Sequence, residues 1–284
     1  MAPPVVVHPG APVSVEYGRP FVKMTGSGND FLFFDRLRSA DREAAMDAAE
    51  VRSLCARGTG VGADGVVLLV PSSSADFGIV YYNSDGSRAE LCGNASLCTT
   101  RLAVELGVGK PEGLAFTTDA GVVRGRLVAG VPEIDLQPVT ELRPDLDIPR
   151  VDGERRMGYA RAGVPHVVVL CDRVEDVDVE GRGRALRWHP GFSDGANANF
   201  VGRAGEGWAM RTFERGVEGE TLACGTGAVA TAVLLSAWGY SGQETTLATR
   251  AGQLLTVRAA REGAAQGLSL RGEGRIVYRA ELAT

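Results

Sequence analysis

Two stretches of the chain are copies of one unit. "ELCGNASLCTTRLA" in the first half and "LACGTGAVATAVL" in the second bring Cys92 over Cys224 and Gly93 over Gly225, each behind a turn-rich lead-in and ahead of a helix-compatible run. A duplicated unit asks for two similar halves, and this restricts the fold more than any other feature of the sequence. If the halves face each other across a cleft, each contributes one thiol to whatever lies between. Two acid/base groups on opposite faces of one carbon can invert it.

The position of the thiols gives them chemistry. In "GETLACGTGAVATAV", Cys224 stands before a Gly-Thr-Gly triplet where a run of small helix formers begins. The first N–H groups of a helix lack intrahelical partners and attract anions, so a thiolate is favoured there and a lowered pKa is expected. Gly225 and Gly227 would let a ligand carboxylate approach the backbone. Taken alone, this segment fits a buried structural cysteine between turn glycines equally well. The second copy, around Cys92, favours the reactive pair.

The remaining composition narrows the compartment and the partners. Five cysteines, at 55, 92, 98, 171 and 224, are an odd number in a chain of 284 residues that needs no staples, which suits a reducing, cytoplasmic setting. Cys92 and Cys98 do not have a zinc-ligand spacing, and only His8, His166 and His189 could complete a site, so no metal is expected. Cys55, Cys98 and Cys171 lie in apolar or alternating surroundings and read as small core residues. The 30 basic and 35 acidic side chains are dispersed with a net charge of −5, which argues against a nucleic-acid partner. No apolar run approaches the roughly 18 residues of a membrane helix, so no membrane partner is expected either. Residues 1–20, "MAPPVVVHPGAPVSVEYGRP", read as a disordered extension and not as a signal peptide.

Along the chain, "RPFVKMTGSGNDFLFFD" predicts strand, glycine turn and strand, and "GADGVVLLV" and "FGIVYYN" predict two more strands. "RSADREAAMDAAEVRSLCAR", residues 38–57, has the apolar spacing of a helix. The second half keeps the order, with strands around "HVVVLCD", "ANFVGRA" and "GWAMRTFERG" before the Cys224 helix. "GVVRGRLVAGVPEIDLQPV" carries the chain between halves, and the closing strands let its end return to the first. The expected class is α+β with antiparallel sheet and helices mixed in each half.

The set "KMTGSGNDF", "GADG", "YYNSDGSRAELCGN", "GVPH", "NANFV" and "FERGVEGETLACGTG", in this order from about Phe21 to the C-terminus, resembles the diaminopimelate epimerase family. The resemblance implies two pseudo-symmetric domains, each a mostly antiparallel sheet wrapped around a central helix, with the active site in the cleft between them. The expected domains are 21–137 with about 274–284, carrying Cys92, and 138–273, carrying Cys224. It implies no pyridoxal phosphate and no metal, a small-molecule amino-acid substrate, and a homodimer as the candidate assembly. Diaminopimelate would be interconverted between its LL and meso forms, a step that supplies lysine and cell-wall precursors.

Thiols suit this chemistry because an amino-acid α-proton is very weakly acidic and a thiolate is a soft base whose pKa, roughly 8.5 when free, can be tuned. One cysteine starts as thiolate and takes the proton; the other delivers a proton to the opposite face. Gly93, Asn94, Gly225 and Thr226, at the two helix starts, would donate to the substrate carboxylate as charge spreads onto it; ordinary capping is the alternative reading. By resemblance, Asn29, Asn83, Asn197, Glu214 and Arg215 fall on substrate-binding positions. Arg215 is the natural partner for the distal carboxylate, and Glu214 for an ammonium or for poising Cys224. Asn29 and Asn83 also suit turns, and a Glu-Arg pair also suits a surface. His166 fits a proton-poising role near the first cysteine or a hydrogen-bonded structural one.

Some positions depart from the family pattern. Val164 stands where the family has an Asn that helps to hold the distal carboxylate, and Ala95, Ser96 and Leu97, with Thr25 and Ser27, replace other common residues. The longer "ERGVEGET" is expected to bring Glu218 near the site. Val164 leaves a related cofactor-independent racemase with another substrate as the alternative; a non-catalytic binding protein of the same fold is a third, disfavoured because both thiols are kept.

Overall fold

The computed structural model describes residues 17–38, 45–259 and 267–283. The first unit comprises β1 (Tyr17–Gly26), β2 (Asn29–Asp35), α1 (Ala48–Cys55), β3 (Gly65–Val70), β4 (Phe77–Asn83), β5 (Arg88–Ala89), α2 (Gly93–Glu105), β6 (Leu114–Thr118), β7 (Gly121–Val128) and β8 (Val131–Leu136). After β9 (Leu142–Arg143) the second unit runs through β10 (Glu154–Ala162), β11 (Val164–Cys171), α3 (Val179–Arg187), β12 (Asn197–Ala204), β13 (Gly207–Glu214), β14 (Gly219–Thr221), α4 (Gly225–Ala237), β15 (Glu244–Ala248), β16 (Leu254–Ala259) and β17 (Leu268–Gly272). The last strand is β18 (Arg275–Ala283).

The duplication extends to every strand pairing. In the first unit β1–β2 is antiparallel, β2–β3 parallel, β3–β4 antiparallel, β4–β6 parallel, and β6–β7–β8 antiparallel. The second unit repeats this sequence with β10–β11, β11–β12, β12–β13, β13–β15 and β15–β16–β17. The strand that follows each unit then crosses to the other half: β9 pairs with β10, and β18 returns to pair with β1. β8 and β17 pair with each other and tie the halves together. The class is α+β, sheet-dominated, with few helices.

Strand alternation explains how each sheet covers helices on two faces. Phe31, Phe33, Val67 and Leu69 face a core shared with Ala95, Leu97, Cys98 and Leu102 of α2, while Leu32, Phe34, Val66 and Leu68 face Val51 and Cys55 of α1. In the second unit Val168 and Leu170 face α4, whereas Val167, Val169 and Cys171 face Val179 and Leu186 of α3. The side chains of α2 and α4 belong to one continuous core, so the two central helices are held relative to each other by packing. Cys55, Cys98 and Cys171 are buried in these cores, as expected of small apolar residues.

Two local expectations are corrected. The helix predicted over 38–57 is shorter, because Asp47 caps it by accepting from Ala49 N at 2.8 Å and Glu50 N at 3.3 Å, and this fixes its start at Ala48; residues 39–44 lie outside the described residues. Of the expected disordered extension, residues 17–20 are strand, because β18 supplies β1 with a partner there, Pro20 lying opposite Glu281. Residues 1–16 lie outside the described residues.

Candidate active site

Cys92 and Cys224 occupy the same place in the two units: each is the N-cap of its central helix, with φ/ψ of −132°/119° and −136°/108°. Glycine follows both, and the two glycines meet. A Cβ built on Gly225 would lie 3.8 Å from Gly93 Cα and 3.5 Å from Asn94 Oδ1. The starts of α2 and α4 therefore abut, and each cysteine stands at the mouth of its helix, where first-turn N–H groups lack intrahelical partners.

The first-turn amides do reach the sulfurs. Asn94 N and Ala95 N donate to Cys92, and Gly227 N donates to Cys224, whose Sγ also lies 3.6 Å from Thr226 Oγ1. The expected lowering of the thiol pKa is nevertheless overturned. Burial pushes Cys92 up to about 11, against the pull of Ala95 N, and the facing Glu214 carboxylate adds to the rise. Burial raises Cys224 further, and Glu214 acts in the same direction. A helix N-terminus contributes about 0.3–2 kcal/mol, less than the several units by which a dry site disfavours a charge. Glu214 is itself shifted upward by burial, with the Thr221 hydroxyl pulling the other way.

Beside Cys92 opens a cleft of roughly 800 Å³ with walls from both halves. Asn29, Asn83 and Cys92 line it from the first half, and Glu214 and Arg215 from the second. Cys224, 6% exposed, does not line this cleft. Asn29 is held from both sides: its Oδ1 accepts from Asn94 Nδ2 at 2.6 Å and its Nδ2 donates to Asp64 Oδ2 at 3.0 Å. Arg57 clamps Asp64 and Asp30 in turn. Asn83 donates to Ser87 Oγ at 3.0 Å, and Arg215 Nη1 donates to the Asp194 carbonyl at 3.0 Å.

Other expected site residues support this wall from behind and do not line the cleft. Asn197 is buried, accepts from Arg215 N at 2.7 Å and donates to Pro165 O at 3.3 Å, so both ends of its amide hold backbone. His166 is fully buried; Asn199 Nδ2 lies 3.1 Å from its Nδ1, and its Nε2 has no partner among the described residues. Burial, aided by the Arg215 charge, pulls His166 down to about 3, so it is neutral at physiological pH. Val164 begins β11 just after the Gly163 turn and is not part of the cleft wall. Glu218 does not approach the cleft as expected. Its backbone adopts φ +59° and its carboxylate turns onto Arg187 Nε, 3.0 Å away.

Sequence reasoning passed over Asp64, Arg57, Tyr81 and Asn199. Asp64 lies in the "GADG" stretch and Asn199 in "NANFV", so both were within recognised segments; Tyr81 lies in a strand, where only the pairing register reveals that it reaches the cleft. Among the described residues, no group of three or more His, Cys, Asp or Glu side chains is placed to hold a metal ion, and no helix is long and apolar enough to cross a membrane.

Comparison with known proteins bears on the family and the fold. The family model described as diaminopimelate epimerase matches residues 21–129 and 158–275. A diaminopimelate epimerase of Gemmatimonas aurantiaca is 49% identical over 275 residues, 93% of this chain and 99% of that protein. One from Aquifex aeolicus is 40% identical over 84% of this chain and 88% of its own length. Among solved structures, a PhzF-family phenazine biosynthesis protein of Bacillus anthracis superposes with a TM-score of 0.74 at 14% identity, over 94% of this chain and 99% of that one. A hydroxyproline epimerase of Agrobacterium vitis, solved with trans-4-hydroxy-L-proline, superposes with a TM-score of 0.63 at 19% identity, over 95% and 94% of the two chains. At these identities the solved structures bear on the fold alone.

Proposed function

The chain belongs to the diaminopimelate epimerase family, and from that premise we propose that Cys92 and Cys224 interconvert LL- and meso-2,6-diaminopimelate by proton transfer on opposite faces of one α-carbon. The enzyme is an isomerase of lysine biosynthesis. The observation that carries the assignment of residues is the pair of matching cysteine N-caps on helices whose first glycines touch.

The reaction needs a base, an acid and a place for the charge. A thiolate on one side removes the α-proton, the carbanion becomes planar, and the thiol on the other side returns a proton. Asn94, Ala95 and Gly227 N–H groups face sulfur. The Gly93, Gly225 and Thr226 amides remain to hold the substrate carboxylate, where they stabilise the transition state more than the ground state. Glu214, one wall of the cleft, takes the substrate ammonium, and Arg215 and Asn83 take the distal end. Asn29 orients Asn94, and Asn197 fixes the backbone of Arg215. His166, neutral and buried, supports the wall through Asn199.

Substrate bound among these groups displaces water and brings an ammonium against Glu214, so the thiols that are disfavoured as anions in the empty site gain a cationic neighbour. The altered substrate that Val164 suggested finds no support among the similar proteins, which are diaminopimelate epimerases. Five free cysteines fit work in the reducing cytoplasm. A homodimer is part of the same reading, checked by sedimentation. The deciding assay incubates LL-diaminopimelate in heavy water: the meso product should carry one deuterium at the inverted carbon. Inversion without solvent deuterium, or no turnover of diaminopimelate, refutes the assignment.

A further inference from the structure

The sequence treats the two thiols alike, but their surroundings differ at one ladder position. In the first unit Gly65 pairs with Phe31 of β2, and Tyr81 pairs with Val67 of β3 and Ala89 of β5. In the second unit the matching places are Asn197, paired with His166, and Thr212, paired with Asn199 and Thr221. Tyr81 thus corresponds to Thr212, and Gly65 to Asn197. The short Thr212 is spent within its own sheet, its hydroxyl donating to Asn199 Oδ1 at 3.0 Å. Tyr81 is long enough to leave the sheet: it lines the cleft together with Cys92, and its hydroxyl pulls the Cys92 thiol toward the anion.

Gly65 makes this possible. A Cβ there would stand 2.7 Å from Tyr81 Cε2 and 2.9 Å from its hydroxyl oxygen, closer than carbon atoms pack. Phe31 closes the other side with an edge contact, ring centroids 6.1 Å apart. The ring is therefore confined, and its hydroxyl is aimed. We propose that Tyr81 is a positioning residue for proton transfer at Cys92, its hydroxyl donating to the Cys92 sulfur so that Cys92 gives up its proton more readily than Cys224.

The surroundings are consistent with that direction. A donor to sulfur favours the thiolate. Cys92 receives three, from Asn94 N, Ala95 N and Tyr81, while Cys224 has Gly227 N and the Thr226 hydroxyl. The groups opposing an anion at Cys92 are burial and Glu214 from β13; Cys224 across the gap and Cys98 along α2 feel Cys92 in turn. Burial, Cys92, Asp64 and Glu214 all raise Tyr81, which keeps its proton and stays a donor.

This inference rests on the two-thiol reading, so its test does not use turnover, whose kcat/KM values in the two directions are tied by the equilibrium constant. The substrate-free enzyme is alkylated with iodoacetamide across a pH series, and Cys92 and Cys224 are followed separately by peptide mass. In the wild type Cys92 should react ahead of Cys224 at every pH; the reverse order overturns the proposal. Tyr81→Phe keeps the ring and removes the donor, and should raise the Cys92 midpoint by about one unit, roughly tenfold slower alkylation at fixed pH, with Cys224 unmoved. An unmoved Cys92 midpoint, or equal shifts at both thiols, also overturns it. Epimerisation surviving in Cys92→Ala or Cys224→Ala would instead remove the two-thiol reading itself.

Discussion

Replacing Gly227 by alanine should destabilise the protein far more than the same change at Gly93, although both glycines open a central helix. A Cβ at Gly227 would stand 2.2 Å from Asn199 Oδ1 and 3.2 Å from Cys224 Sγ. Asn199 cannot yield cheaply: it is fully buried, its Nδ2 lies 3.1 Å from His166 Nδ1 and 3.0 Å from Val167 O, and its Oδ1 accepts from Thr212. Displacing it disturbs three hydrogen bonds at about 1 kcal/mol each, overpacking adds about 1–3 kcal/mol, and alanine's better helix propensity returns at most about 1 kcal/mol. The net loss is about 3–5 kcal/mol, on the order of 10 °C in Tm. At Gly93 the new Cβ meets only Leu270 Cδ2 at 3.3 Å, the end of a flexible side chain, and Gly225 Cα at 4.0 Å. That variant should stay within about 1 kcal/mol of wild type, the range of changes that disturb no buried contact, and lose activity instead by crowding the substrate carboxylate. Urea unfolding of both variants provides the comparison. Equal stabilities would refute the packing of Asn199 over the start of α4.

Two further outcomes test the cleft and its support. Arg215→Ala should lower kcat/KM for diaminopimelate by at least about 30-fold, mainly through KM, because it removes a charged partner worth about 2–5 kcal/mol; unchanged steady-state kinetics would take Arg215 out of the substrate site. His166 is pulled from 6.5 in the unfolded chain to about 3 when folded, so the unfolded state binds the extra proton between those values and stability should fall as pH drops through that window. His166→Gln should flatten this part of the pH profile of urea midpoints, and an undiminished slope would show that the histidine is not buried neutral.

The thiol pair was legible in the sequence because a cysteine before glycine at the mouth of a small-residue helix is a local pattern, and it occurs twice. The strand order of each unit was legible for the same reason. The thiol pKa was misjudged because helix ends can be read from local sequence, whereas burial depends on two halves closing over Cys224. Asn197 was recognised as a site residue, but its use as a clamp on Arg215 N depends on the neighbouring strand. The equivalence of Tyr81 with Thr212 lies wholly in the pairing register, which no motif encodes. Glu218 was misplaced because the longer turn is absorbed by one left-handed residue that swings its carboxylate to Arg187.

If Cys92 and Cys224 face the same carbon, mild oxidation of the substrate-free enzyme should join them. A disulfide needs Cα atoms within about 7 Å, so a mild oxidant can join these two thiols only if they do face each other across the substrate position. Activity should be lost on oxidation, restored by reductant and protected by diaminopimelate, and a peptide map of the inactive protein should show Cys92 joined to Cys224. Inactivation through a bond to Cys55, Cys98 or Cys171, or full activity in protein carrying the Cys92–Cys224 bond, would mean that the two residues do not act on one carbon.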